Sequence, residues 1–134
     1  MASTKLAFLA VAAVLLLQAS WWCGANGDTP AVMTVNSFEN DGNGGGPAAC
    51  DGTYHSNGEP LVALPTALYA GGSRCGKQIR ITSTQSGIYM MAKVVDECDA
   101  DSCKDNMIST SKFVWDVLEV DTYIGEVPIT WSDA

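Results

Sequence analysis

The segment KQIRITSTQSGIYMMAKVV, Lys77–Val95, carries the clearest secondary-structure signal in the chain. Its first part places Ile79 and Ile81 on one face of an extended strand. Its last part alternates in the same way, with Lys93 on the opposite face and the apolar positions Ile88, Met90, Ala92 and Val94. Period-two alternation on both sides of the five-residue connection STQSG predicts an antiparallel β-hairpin.

Three further segments predict strands on the same grounds. They are Ala31–Phe38, with Ala31, Met33 and Val35 on one face; the apolar run Leu61–Leu64; and the final segment Tyr123–Trp131, in which Val127, Ile129 and Trp131 alternate with polar residues. Pro128 has no amide hydrogen for a ladder, so its nitrogen should face an edge or a bulge.

The remaining segments predict short helices and long loops. One helical turn is expected from Pro65, and STSKFVWDVLEV predicts a helix that Ser109 or Ser111 caps. Its predicted buried stripe comprises Val114, Val117 and Leu118. The segment ENDGNGGGPAACDG is too rich in glycine for a regular element. Five or six short strands with such loops favour a small closed β-barrel.

The N-terminus predicts secretion. Lys5 precedes twelve apolar residues, Leu6–Leu17, a run too short to cross a bilayer, which needs about 20. Small residues at Cys23 and Ala25 favour cleavage after Ala25. We therefore expect a signal peptide over residues 1–25 and one mature domain over residues 26–134, outside the cell.

The mature composition limits the classes of partner. Six basic residues face fifteen acidic ones, a formal charge of −9. Phosphate backbones and anionic lipids repel such a chain, so neither nucleic acid nor a membrane surface is an expected partner. Four cysteines remain, Cys50, Cys75, Cys98 and Cys103. An even number in an oxidising compartment predicts two disulfides, for which the sequence alone allows three connectivities.

The acidic segment KVVDECDADSCKD, Lys93–Asp105, is the first candidate site. Asp99 and Asp101 have the spacing of two calcium ligands, but the glycine and glutamate of an EF-hand loop do not follow. Two cysteines without a second Cys or His pair do not make a zinc site. We therefore predict no metal and no cofactor, and interpret the segment as a solvated loop pinned by a disulfide.

Asp96 is the candidate for catalysis, because it lies where a predicted strand ends. Glycoside hydrolysis normally needs two carboxyl groups, about 5–5.5 Å or about 6.5–9.5 Å apart. The other candidates are Asp51, Glu59 and Glu97, with His55, the one histidine, as a possible proton shuttle. The alternative role for Asp96 is structural, as an acceptor for backbone amides. For His55 the alternative is a polar surface residue.

Two other features have a functional and a structural interpretation. Trp115 and Trp131 would suit a sugar-stacking platform, but both are in phase with apolar patterns, and for Trp131 core packing is the preferred interpretation. The run GNGGGP, Gly42–Pro47, lacks the lysine and the following helix of a phosphate loop. It is interpreted as a flexible rim that adapts to a partner.

From about Val32 to Trp131 the chain resembles a known family. The motifs are GGSRCGKQIRIT, AKVVDECD, the terminal helix with VPITW, and the long segment NSFENDGNGGGPAACDGTYHSNGEPLVALPTALYAGGSRCGK. Taken together in their order along the chain, these motifs are similar to the kiwellin or ripening-related proteins of plants. The resemblance implies a six-stranded double-psi β-barrel related to barwin, expansins and RlpA-like proteins. It also implies an extracellular protein of ripening or defence, and some members bind enzymes that pathogens secrete.

The resemblance also suggests a disulfide pairing and shows two departures. Barwin-like relatives join the cysteines at the positions of Cys50 and Cys75. The resemblance therefore implies a Cys50–Cys75 disulfide, and the two remaining cysteines would form Cys98–Cys103. The loop after Cys98 is shorter than is usual in the family, so partner contacts made there in relatives do not transfer. The catalytic histidine of RlpA-like proteins has no equivalent near Pro65–Thr66.

The incomplete catalytic set and the excess negative charge favour a non-catalytic binding protein whose acidic rim recognises a protein, and the resemblance implies a partner such as an enzyme secreted by a microbe. The candidate contact residues are Asp51, His55, Asp96, Asp99 and Asp101. The alternative is a barrel that binds or cleaves cell-wall polysaccharide with Asp96 as the acid. A purely structural or storage role is the third possibility.

Overall fold

The computed structural model describes residues 28–101 and 103–134, and the predicted signal peptide lies outside this part. The strands are β1 Thr29–Val35, β2 Leu61–Leu64, β3 Gln78–Ser83, β4 Tyr89–Glu97, β5 Met107–Thr110 and β6 Val127–Asp133. The helices are α1 Thr66–Tyr69 and α2 Lys112–Val117, with 3-10 turns at Ala70–Gly72 and Thr122–Ile124.

The six strands close into a barrel in the order β1-β5-β2-β4-β3-β6. Two neighbouring pairs are parallel, β1 with β5 and β2 with β4, and the other four are antiparallel. Closure leaves no free sheet edge, which suits a chain of this size. The predicted small closed β-barrel with short helices is confirmed.

The β3–β4 hairpin forms as the alternation predicts. Ile79 pairs with Ala92 and Ile81 with Met90, so the apolar positions of both strands point into the barrel. Ile79, Ile81 and Ala92 are completely buried. The strand pair thereby supplies the centre of the main hydrophobic core.

The first strand departs from its prediction at one end. Ala31 and Met33 are buried as expected, but Val35 is exposed, and β1 ends there rather than at Phe38. The prediction for Val35 was therefore wrong. Phe38 packs instead in a second apolar cluster on the outside of the barrel, where the glycine-rich loop covers β2 and β4.

The segment before α2 holds the strand that the sequence pattern did not show. Met107–Thr110 forms β5, and α2 follows with Ser111 at its N-cap position. The Ser111 hydroxyl donates to the carbonyl of Glu59 at 2.6 Å and accepts the Leu61 amide at 3.2 Å, so it ties β5 to β2 instead of capping the helix. A strand of four residues, Met-Ile-Ser-Thr, has too little alternation to be recognised.

The predicted apolar stripe of α2 is correct at two positions and wrong at one. Val114 and Leu118 are completely buried, whereas Val117 is exposed. Trp115 takes the third core position, completely buried, with its indole nitrogen donating to the carbonyl of Thr34 at 3.4 Å. Trp131 is buried as well. A sugar-stacking platform of Trp115 and Trp131 is therefore excluded.

The disulfides agree with their prediction, and the final strand does so from Val127 onward. Its predicted beginning at Tyr123 was wrong, because Thr122–Ile124 forms a 3-10 turn. Val127, Ile129 and Trp131 face the core. The β3–β6 ladder covers Ile129–Asp133 and does not include Pro128. Disulfides join Cys50 to Cys75 and Cys98 to Cys103. The pairing implied by the resemblance is confirmed. The first bridge ties the glycine-rich loop to the turn before β3, and the second closes the acidic loop.

Candidate functional site

A bulge in β4 sets the position of Asp96. Val62 pairs with Val94, but the next residue of β2, Ala63, pairs with Asp96, so Val95 is an extra residue in β4. Bulges of this kind redirect the side chains that follow them. Val95 packs under the glycine-rich loop in the outer apolar cluster, and Asp96 faces a groove beside it.

The groove has a volume of about 710 Å³ and lies where β1 and β4 end and β5 begins. Its lining carries four carboxylates, those of Asp96, Glu97, Asp99 and Glu126. Among the described residues that line it, none is Lys, Arg or His. The potential in the groove is consequently negative, and low-dielectric walls strengthen it.

One rim of the groove is the glycine-rich run, from which Gly45, Gly46 and Pro47 contribute. At Gly44 the chain passes so close to the Ser37 carbonyl that a β-carbon would overlap it. Only glycine allows this approach without displacing backbone. The run is therefore folded back against the end of β1.

The Asp96 carboxylate is bonded to the backbone. Its Oδ1 accepts the amides of Ala49 at 2.9 Å and Glu97 at 2.8 Å. Burial raises the pKa of this carboxyl above its ordinary value; the two amides oppose the rise, and the charges of Glu97 and Asp51 add to it. These bonds are the structural role that the sequence offered as an alternative to catalysis, because they hold the glycine-rich loop against β4.

Asp96 affects stability through its charge and through its role as a hydrogen-bond acceptor, and a pH-dependent test separates the two effects. A raised pKa means that the folded chain holds this proton more tightly than the unfolded chain, so its contribution to stability falls as pH rises above 3.8. Asp96→Asn keeps an Oδ1 acceptor and lacks this dependence. Its free energy of unfolding should therefore rise relative to wild type from acid to neutral pH, as measured by urea denaturation.

Asp96→Ala is the matched control, because it removes the acceptor as well as the charge. We expect it to lower the free energy of unfolding at neutral pH by about 1–3 kcal/mol. If Asp96→Ala were as stable as Asp96→Asn across the pH range, the two amide bonds would not be holding the loop.

The predicted Asp51–His55 cluster exists, but it lies outside the groove lining. His55 Nε2 is 2.9 Å from Asp51 Oδ2, and the Thr53 amide donates to Asp51 Oδ1 at 3.1 Å. The Thr53 amide, more than the His55 ring, lowers the pKa of Asp51. The structure thus places the proposed proton shuttle beside Asp51 and not among the groove carboxylates around Asp96.

The acidic loop adopts a local turn. Asp99 Oδ1 accepts the Asp101 amide at 3.1 Å, and the Asp99 carbonyl accepts the Cys103 amide at 2.7 Å. Within residues 28–101 and 103–134, no three His, Cys, Asp or Glu side chains form a group suited to a metal ion. This geometry agrees with a loop pinned by the short Cys98–Cys103 disulfide.

Two exposed residues beside the groove were not recognised from the sequence as candidate contact residues. Tyr123 is 95% exposed and Ile124 is 56% exposed, immediately before Gly125 and Glu126 of the groove lining. Asp121 caps their 3-10 turn by accepting the Tyr123 amide at 2.9 Å. The segment was interpreted as the start of the last strand, although the glycine and the D-x-Y pattern signalled a turn.

The Kiwellin-1 family model matches residues 18–134. The chain belongs to the kiwellin family. Putative ripening-related protein 6 of Oryza sativa subsp. japonica is 58% identical over 108 residues, covering 79% of this chain and 65% of the relative. Kiwellin of Actinidia chinensis var. chinensis is 48% identical over 117 residues, covering 79% of this chain and 54% of the relative.

Solved structures agree on the fold. The expansin of Clavibacter michiganensis matches with a TM-score of 0.65 and 22% identity, over 80% of this chain and 50% of that one. The kiwellin chain is accordingly a double-psi β-barrel, as the resemblance implied. It spans between half and two thirds of the length of the first curated relatives. Across the described residues, no helix has the length and apolar character to cross a membrane.

Proposed function

We propose that this member of the kiwellin family is a secreted, non-catalytic binding protein whose acidic groove recognises another protein, such as an enzyme secreted by a microbe. One observation carries the proposal: four carboxylates line the groove, none of its described lining residues is a cation, and exposed Tyr123 and Ile124 lie beside it. A signal peptide, as the sequence predicts, would bring this protein to such a partner outside the cell.

This arrangement resembles the anatomy of a protein interface. Exposed aromatic residues near the centre of an interface contribute most of its binding energy, and charged residues around them fix the orientation. Negative charge in the groove would attract a basic segment of the partner and speed its approach. The partner surface should therefore combine Lys or Arg with an apolar pocket for Tyr123.

The geometry supports binding more than hydrolysis. Asp96 accepts two backbone amides, and the one histidine is paired with Asp51 outside the groove lining. A hydrolase would need a second carboxyl group placed across a substrate from the acid. Glu97, one of the carboxylates that the sequence offered for this role, is the next residue along the same strand as Asp96, so the two do not face each other across the groove.

The test uses the fluid of infected plant tissue and two charge-reversal variants. Wild-type protein on a column should retain a secreted protein that salt elutes, and Glu126→Lys in the groove should weaken its binding about tenfold. Tyr123→Ala should weaken it roughly thirtyfold. Glu119→Lys, whose side chain lies outside the groove lining, is the control and should bind as wild type does.

Two results would contradict the proposal. One is association with the captured protein at a rate that salt does not change, since charge would then not steer the encounter. The other is equal binding by wild type, Glu126→Lys and Tyr123→Ala, which would place the interface elsewhere on the barrel.

A second candidate function rests on the position of Asp96 in the groove. Burial raises the pKa of its carboxyl, and a raised pKa is the direction of shift that a general acid for glycoside cleavage needs. In that case the groove would hold a cell-wall polysaccharide. Activity on a glycan that Asp96→Asn abolishes would favour this function over the first.

A further inference from the structure

The positive charges of the chain are concentrated on one side of the barrel. The described residues contain six Lys and Arg against fifteen Asp and Glu. Four of the six, Arg74, Lys77, Arg80 and Lys93, lie in β3, β4 or the turn before β3. We name as the cationic face the outward side chains of Arg74, Lys77, Arg80, Tyr89, Met91 and Lys93.

The register of the hairpin makes this face continuous. Gln78 pairs with Lys93, Arg80 with Met91, and Thr82 with Tyr89, all in alternation with the buried positions. These side chains therefore project outward from two adjacent strands. Gln78 also lines a second cavity of about 740 Å³ with Arg74 and Lys77. The cavity extends the face past the beginning of β3.

The Arg80 side chain stacks on an exposed aromatic ring. Its guanidinium lies 4.1 Å from the centre of the Tyr89 ring, which is still 53% exposed. The Arg80 side chain forms no hydrogen bond or ion pair within the described part of the chain. By contrast, the Arg74 guanidinium donates to Asp133 and to the Leu68 carbonyl. Stacking restrains the Arg80 fork while its N–H donors stay available to a ligand.

Lys77 and Lys93 add two cations that are also outside the three salt bridges of the described residues. Among the described residues of this face, the Asp133 carboxylate pairs with Arg74, and the nearby charge of Lys77 also helps to lower the pKa of Asp133. Glu59 lies at the margin, where the Pro60 carbonyl accepts the Lys93 amide. The face thus presents three cations that form no salt bridge within the described residues, Lys77, Arg80 and Lys93, and an exposed aromatic ring.

We propose that the cationic face binds an acidic polysaccharide of the uronate type. Arg80 would pair with a sugar carboxylate through its planar fork, and Lys77 and Lys93 would contact neighbouring carboxylates. Tyr89 and Met91 would contact the apolar faces of the sugar rings. The site is separate from the acidic groove, so the barrel can hold a glycan and a protein together.

The net charge of the protein does not prevent this. Charges farther apart than about 8 Å are largely screened at physiological ionic strength, so the local cations dominate at the face. A polyuronate carries one carboxylate per sugar, whereas duplex DNA carries one charge per about 1.7 Å. The repulsion that disfavours nucleic acid is therefore weaker for this polymer.

Biolayer interferometry with immobilised polygalacturonate tests the proposal. Wild type should bind, with an affinity that falls as salt rises. Arg80→Gln and Lys93→Gln should each weaken binding about fivefold, and Tyr89→Ala should do so while Tyr89→Phe does not. Lys112→Gln removes a cation outside the face, one paired with Asp116, and should bind as wild type does.

Two control polymers separate charge from sugar. Fully methyl-esterified polygalacturonate keeps the sugars without the charge, and poly-L-glutamate keeps the charge without the sugars; both should bind at least tenfold more weakly. Three results would overturn the proposal. They are binding of either control polymer as tight as that of polygalacturonate, a loss of binding in Lys112→Gln equal to that in Arg80→Gln, and no binding of polygalacturonate at millimolar uronate. All the substituted side chains are exposed, so we expect the variants to fold. Thermal melting of each variant checks this.

Discussion

Trp115→Ala is expected to lower the free energy of unfolding by about 3–5 kcal/mol. The indole is completely buried in the main core and is among the largest side chains there. Truncation would lose its apolar contacts, leave a cavity, and leave the Thr34 carbonyl without its indole donor. Urea denaturation of the disulfide-intact protein measures the change.

The control is Tyr123→Ala, an aromatic truncation on the surface. Because the Tyr123 side chain is 95% exposed, its loss should change the free energy of unfolding by no more than about 0.5 kcal/mol. The same variant is predicted to weaken partner binding. If Trp115→Ala were as stable as Tyr123→Ala, Trp115 would not be a core residue and the surface-platform interpretation would return.

Removing the Cys50–Cys75 disulfide is expected to be almost as costly. The bridge spans 25 residues and the Cys98–Cys103 bridge spans five. Loop-closure entropy of the unfolded chain gives a loss of about 3.5 kcal/mol for the double variant Cys50→Ala/Cys75→Ala and about 2 kcal/mol for Cys98→Ala/Cys103→Ala. Denaturation of both double variants beside wild type measures the two losses.

The two bridges serve as controls for each other, because the chemistry of substitution is the same and the loop lengths differ. A loss below about 1 kcal/mol for Cys50→Ala/Cys75→Ala would show that the glycine-rich loop is ordered without its bridge. The hydrogen bonds from Ala49 to Asp96 and from Cys50 to Val95 would then be sufficient to hold it.

Elements with strong alternation were predictable from the sequence. The hairpin of β3 and β4 and the end of the chain at Val127–Trp131 form with the expected faces inward. The missed strand, Met107–Thr110, has no such pattern, since three of its four residues are completely or largely buried whatever their polarity. Its place is set by parallel pairing with β1, which local sequence does not reveal.

The site was less predictable because it is assembled from distant segments. Asp96 was recognised from its place at the end of a strand, but its amide partner Ala49 is 47 residues away. The bulge at Val95 has no sequence signature of its own. The cationic face was missed because its four cations are scattered among apolar residues, and only the strand register brings them together.

The most direct test of the central claim is reducing-end release from a panel of cell-wall glycans by the disulfide-intact mature protein, with Asp96→Asn alongside. A non-catalytic binding protein predicts no release from any glycan by either protein, while the groove still retains its protein partner. Release by wild type that disappears in Asp96→Asn would contradict the account and make the groove a catalytic site.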